Sequence, residues 1–214
     1  MLTSDLQYFT TFKFKSLDSY DFKSTLLSFF ESDGDASKKL SELDWDTWFY
    51  SPGYPPKPDF DTSMVDKCYA LADKWATRIK GAPTAMFEPS KSDIEGWSAN
   101  QSVVFLEKLQ SLPDQFIPED VELMGSTYGY SLSKNVELVS RFYSIGLKAK
   151  DDKVFEPTAE LLGKVGRMKF VRPLYRALNE VDRDLAVKTF KDNKDFYHPI
   201  CRAMVEKDLF GEKK

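Results

Sequence analysis

Apolar residues recur three and four apart along most of the chain, the spacing that places them on one face of an α-helix. From Asp61 onward, Met64, Cys68, Leu71, Trp75 and Ile79 predict such a helix, capped by Asp61 or Thr62 and ended by Gly81 and Pro83. Ser98 suits the cap of a helix reaching about Gln110, and Pro118 suits the first position of the next. That next helix carries Val121, Met124 and Tyr128 on one stripe, with Gly125 and Gly129 expected to weaken it. Ser133 is expected to open a helix bearing Val136, Val139, Tyr143 and Leu147. A fifth carries Phe155, Ala159 and Leu162, with Gly166 as its expected stop. The following stripe is Phe170, Leu174, Leu178 and Val181. A more polar helix from about Arg183 to Lys194 comes next, and a last one behind Pro199 holds Ile200, Met204 and Val205. No run alternates clearly enough to read as a strand.

The connections after Ser98 are short, so consecutive helices should pack antiparallel. The predicted fold class is all-α: stacked antiparallel helix pairs forming an α-solenoid, a superhelix of the HEAT or armadillo kind. No motif repeats at a fixed period, so the repeat class stays unnamed. Tyr50 to Pro58 holds four prolines, which remove backbone donors and favour extended geometry, and this marks a connector. The expected organisation is a helical fragment over 1–49, a Pro-rich linker over 50–61 and a helical domain over 62–214. Within the fragment, a helix from Asp18 to Phe30 brings Leu26, Leu27, Phe29 and Phe30, while Trp45, Trp48 and Phe49 crowd before the prolines. So short a segment cannot bury all of this alone, and it should pack on the downstream domain or on a separate partner.

Composition narrows the function classes. With 42% hydrophobic and 30% charged residues among 214, the chain has the makings of a folded domain with a substantial core. A net charge of -4 supplies no basic surplus for phosphates, so nucleic acid is not an expected partner. No stretch approaches the ~20 apolar residues that span a bilayer, and Met1 to Lys15 does not read as a signal peptide. Cys68 and Cys201 lie far apart without a C-x-x-C spacing, which suits two buried thiols in a reducing compartment. The cytoplasm is the expected location, with the nucleus as a further one.

The candidate chemistry is sparse. His198 is the only histidine, so no His-Glu-x-x-His zinc site is present, and its place before Pro199 suits a local hydrogen-bond role. Asp33-Gly34-Asp35 lacks the further ligands of a calcium loop and is expected to be a surface turn. No Gly-rich phosphate cradle and no nucleophile elbow occur. In Gly166-Arg167-Met168-Lys169-Phe170, an extended run after Gly166 would point Arg167 and Lys169 to one side, where a guanidinium and an ammonium could hold a carboxylate. Two solvated charges at a helix junction is the competing reading, and spacing does not choose between them.

Trp45-Asp46-Thr47-Trp48-Phe49-Tyr50-Ser51-Pro52-Gly53-Tyr54-Pro55-Pro56, with Pro58 and Asp61 after it, resembles a junction in the leukotriene A-4 hydrolases and their fungal aminopeptidase relatives. There it joins the zinc domain to a C-terminal helical domain. A second set of matches is Gly166 to Phe170, Arg172-Pro173-Leu174-Tyr175, His198-Pro199-Ile200 and Lys207-Asp208-Leu209, so the likeness runs along nearly the whole chain. The resemblance implies that 1–49 are the last helices of a zinc-peptidase domain and that 62–214 are the terminal helical domain. It also implies that the catalytic zinc residues lie upstream, so no cofactor is expected within this chain. Carried over from the family, Arg167 and Lys169, with Met168 between them, would bind the carboxylate of a peptide or lipid-epoxide substrate. The implied function is that of a non-catalytic domain of a zinc aminopeptidase with epoxide hydrolase activity, whose partner is the zinc-peptidase domain. The alternative is a free-standing α-solenoid scaffold for a protein or peptide.

Overall fold

Local chemistry at helix starts accounts for most of the architecture. The structure is a computed structural model describing residues 2–79, 87–113 and 116–211. Among the described residues there are twelve α-helices and no strand. The chain divides into two units, Met1–Phe60 and Asp61–Lys214.

The first unit holds α1 (Leu2–Phe12), α2 (Ser19–Phe29), α3 (Gly34–Ser41) and α4 (Trp45–Tyr50). Three aspartates start the last three helices by accepting otherwise orphaned amides. Asp18 takes Tyr20 and Asp21 while the Asp21 carboxylate accepts the Asp18 amide, a reciprocal box. Asp33 takes the Ala36 amide at 3.1 Å, so Asp33-Gly34-Asp35 is a helix start rather than the expected surface turn. Asp44 takes the Thr47 amide. Trp45 is the buried residue of α4: its indole N–H donates to the Leu40 carbonyl at 3.0 Å and its ring meets Phe49 edge-on at 5.3 Å. Tyr8 of α1 meets Phe22 of α2 edge-on at 5.8 Å. Residues 51–60 carry neither helix nor strand.

The second unit contains α5 (Ser63–Ile79), α6 (Ala99–Gln110), α7 (Pro118–Tyr128), α8 (Val136–Lys148), α9 (Phe155–Leu162), α10 (Met168–Val181), α11 (Arg183–Asn193) and α12 (Pro199–Phe210). Alternate helices touch: α6 packs on α8, α8 on α10 and α10 on α12, while α9 packs on α10 and α11. This two-row stacking is the helix-pair solenoid that the short connections predict. Trp75, fully buried, anchors one end, with Phe87, Phe116 and Tyr128 edge-on at 5.8, 6.1 and 6.0 Å. Its indole N–H donates to the Tyr128 hydroxyl at 3.1 Å, which donates to Asp93 at 2.9 Å, so both polar tips in this apolar cluster are satisfied. Truncating such a ring to alanine costs about 3–5 kcal/mol.

Several expectations change. Asn135, not Ser133, caps α8, its side-chain oxygen accepting the Glu137 amide at 3.0 Å. Helix α9 stops at Leu162, before Gly166. Met64 and Ile200 are exposed, and α12 buries Cys201, Val205 and Leu209 instead. Gly125 is less a weak point than a clearance: a Cβ there would lie 2.6 Å from Cζ of Phe142. Gly129 ends α7 in the left-handed region at φ 73°, where glycine is free of strain. Gly81 and Pro83 lie outside the described residues.

Candidate carboxylate-binding site

The junction between α9 and α10 presents the Gly-Arg-Met-Lys stretch. Arg167 is the N-cap of α10, with extended backbone (φ -74°, ψ 117°) and no side-chain cap bond, and its carbonyl accepts the Phe170 and Val171 amides at 2.9 and 3.1 Å. The helix begins at Met168, so Lys169 is already helical. The expected extended pair is therefore not what forms, because α10 begins at Met168 and takes in Lys169. The two cations nonetheless converge on one ring: the Arg167 guanidinium carbon lies 5.9 Å and Lys169 Nζ 5.1 Å from the Phe170 centroid. Phe170 itself is buried, while Arg167, Met168 and Lys169 are exposed. They also sit where the helix dipole is positive, which favours an anion.

Lys169 forms one wall of a cleft of about 170 Å³ lined by Gln110, Ser140, Arg141, Phe170 and Pro173 among others. That is below the size that encloses a drug-sized molecule, and it suits one end of a guest. Three helices contribute: α6, α8 and α10. A chain of charges that the spacing did not reveal runs across it. Lys169 Nζ donates to both oxygens of Glu137 at 2.8 Å. Arg141 donates to Glu137 at 2.8 Å and, through two nitrogens, to Glu107 Oε1 at 2.9 and 2.6 Å. Lys169 holds the Glu137 carboxyl below its ordinary range, with Arg141 adding to the effect. Burial alone would lower Arg141, but its bonds to Glu107 and Glu137 outweigh that and raise it. Arg167, in contrast, makes no ion pair among the described residues and lies over the Phe170 ring. The only signal that sequence held for the added members was the i, i+4 spacing of Glu137 and Arg141.

The remaining candidates are structural. His198 caps α12, Nδ1 accepting the Ile200 amide at 3.3 Å. Cys68 and Cys201 are buried free thiols, each pushed up by burial. Among the described residues no group of three or more His, Cys, Asp or Glu is arranged to hold a metal ion, so these side chains do not fit a zinc centre. No helix among them is long and apolar enough to cross a membrane.

Residues 97–209, more than half of the chain, match the family described as "Leukotriene A4 hydrolase, C-terminal". The chain belongs to the leukotriene A4 hydrolase family. Among similar proteins, Leucine aminopeptidase 2 of Phaeosphaeria nodorum is 60% identical over 207 residues, covering 97% of this chain and 33% of that protein. The Leukotriene A-4 hydrolase homolog of Botryotinia fuckeliana is 62% identical over 202 residues, covering 94% of this chain and 30% of that one. A solved structure of native leukotriene A4 hydrolase from Saccharomyces cerevisiae superposes with a TM-score of 0.77 at 38% identity, covering 97% of this chain and 35% of that chain. This leukotriene A4 hydrolase family chain thus corresponds to the family's C-terminal region and spans about a third of the length of the relatives it matches.

Proposed function

We propose that this chain is a substrate-recognition domain of a zinc aminopeptidase with epoxide hydrolase activity, and that Arg167 and Lys169 hold the carboxylate of a peptide or lipid substrate. The reading rests on one observation: both cations flank the Phe170 ring at an end of α10 whose first-turn amides lack a side-chain cap. A fixed cation pair gripping the far end of a substrate orients its reactive end, so binding energy remote from the scissile bond lowers the barrier. The guanidinium fork suits one face of a carboxylate, and the third ammonium proton of Lys169, free of Glu137, can meet it. Zinc chemistry belongs in this reading to a separate domain, because the described residues offer no ligand set.

The test is a chimera in which this chain replaces the matched third of the Phaeosphaeria nodorum leucine aminopeptidase 2. Arg167→Gln and Lys169→Met should each raise KM for tripeptides with a free C-terminal carboxylate about tenfold, the scale of losing a charge-assisted bond. C-terminal amides of the same tripeptides should be unaffected. Equal kinetics on both substrate series in the variants would remove the proposal.

A further inference from the structure

The ammonium of Lys169 already has a carboxylate on it, and that carboxylate comes from the protein. Both Glu137 oxygens sit 2.8 Å from Lys169 Nζ, the geometry a bound substrate carboxylate would adopt. Glu137 projects from the first turn of α8 and is tied on its other side to Arg141, so it bridges two cations that line the cleft. Around the cleft the charges are Glu107 from α6, Glu137 and Arg141 from α8, and Lys169 from α10. These cancel pairwise, whereas Arg167, beside the cleft on the far side of Met168, makes no ion pair among the described residues.

From this geometry we infer that Glu137 is a built-in competitor for the carboxylate site: a positioning residue that occupies Lys169 and sets how strongly a free carboxylate is preferred over a neutral end. The inference rests on the reading of Arg167 and Lys169 given above. An incoming carboxylate must share Lys169 with Glu137 and sits close to a second negative charge, so its attraction is partly offset. Arg141 keeps Glu137 in place through a hydrogen bond to its carboxylate at 2.8 Å and another to its backbone carbonyl at 2.7 Å. Arg141 is itself anchored by Glu107. Arg167 therefore draws the anion in, while the Glu137–Lys169 pair regulates how tightly it is held. The device favours turnover over tight capture, since a site that binds the end of substrate and product too firmly slows release.

The experiment uses the 214-residue chain and two probes, trialanine and trialanine amide, with dissociation constants measured by NMR titration. Glu137→Gln keeps the shape and removes the charge. It should tighten trialanine about three- to fivefold, the range of a partly exposed ion pair, and leave the amide unchanged. Arg167→Gln and Lys169→Met should abolish the difference between the two probes. If those two variants do so while Glu137→Gln leaves trialanine binding unchanged or weakens it, the competitor role falls and the carboxylate site stands. If the natural chain shows no preference for trialanine, or keeps it in Arg167→Gln and Lys169→Met, the site itself falls and the competitor with it. Unchanged amide binding in Glu137→Gln also excludes a general loss of fold as the cause.

Discussion

The hydroxyl of Tyr197 donates to the carbonyl of Leu162 at 2.7 Å, fastening the loop before α12 to the last residue of α9. A carbonyl can only accept, so the second bond of Tyr197, 2.8 Å to the Tyr175 hydroxyl, has Tyr175 as donor. All three groups lie in the buried interior, and burial pushes the Tyr197 phenol up to about 12. The two tyrosines therefore differ in consequence. Tyr197→Phe leaves both the Leu162 carbonyl and the Tyr175 hydroxyl unpaired and should cost about 2–3 kcal/mol. Tyr175→Phe removes one donor whose acceptor keeps its other bond, and should cost about 1 kcal/mol or less. Urea denaturation of the two variants measures the ordering, and equal losses would contradict it.

A second expectation concerns acid. Asp208 of α12 receives Arg172 at 2.5 and 3.1 Å and Arg176 at 2.8 Å, both from α10. Arg172 foremost holds its carboxyl down from 3.8 to about 2. A depressed carboxyl contributes stability that is present above its unfolded value and fades as pH falls through the folded one. The natural chain should lose about 2 kcal/mol between pH 4 and 2 from this group, on the order of 1.4 kcal/mol per unit. Asp208→Asn should be less stable by a similar amount at pH 7 and should lack that part of the acid slope, as read by thermal melts across pH.

Packing tolerance at two glycines should differ sharply. Gly125→Ala places a methyl 2.6 Å from the ring of Phe142, which is 2% exposed and has nowhere to retreat. A loss of about 1–3 kcal/mol is expected. Gly34→Ala meets nothing within 4 Å and should be neutral or stabilising by up to about 1 kcal/mol. Melting temperatures of the two variants decide the matter.

The first unit leaves much apolar surface uncovered: Leu6 is 68% exposed, Phe9 70% and Phe14 102%. At high concentration the chain should self-associate and bind an apolar dye, as exposed patches of this kind do. Phe9→Ser with Phe14→Ser should reduce both signals without lowering the melting temperature of residues 61–214. A monomeric, dye-silent natural chain in the ultracentrifuge would refute this.

What the sequence made legible was local. Ser98 and prolines 118 and 199 each name a helix start through chemistry contained within a few residues, and the structure adds Gln101 to Ser98 and Asp21 to Asp18 as reciprocal capping partners. The stripes of α7 and α10 followed from spacing alone. Misses arose where distance in sequence decided the outcome. The end of α9 is fastened by Tyr197, 35 residues away, and a glycine-based rule pointed to Gly166 instead. Ser133 and Asn135 are both good caps, and the structure uses them in series: Ser133 accepts the Asn135 amide and Asn135 accepts that of Glu137. Within the candidate site, Arg167 and Lys169 were readable from the motif, but Glu137 lies 32 residues from Lys169 and no periodicity links them.

Because the cleft takes its walls from three successive members of one row, α6, α8 and α10, its width is the pitch of the stack. A bulkier residue at Gly125 of α7 against Phe142 of α8, or at Gly146 of α8 against Val154, would press on α8, the middle wall, without altering a single wall residue. The shape of the cleft can therefore drift through changes at positions that do not line it.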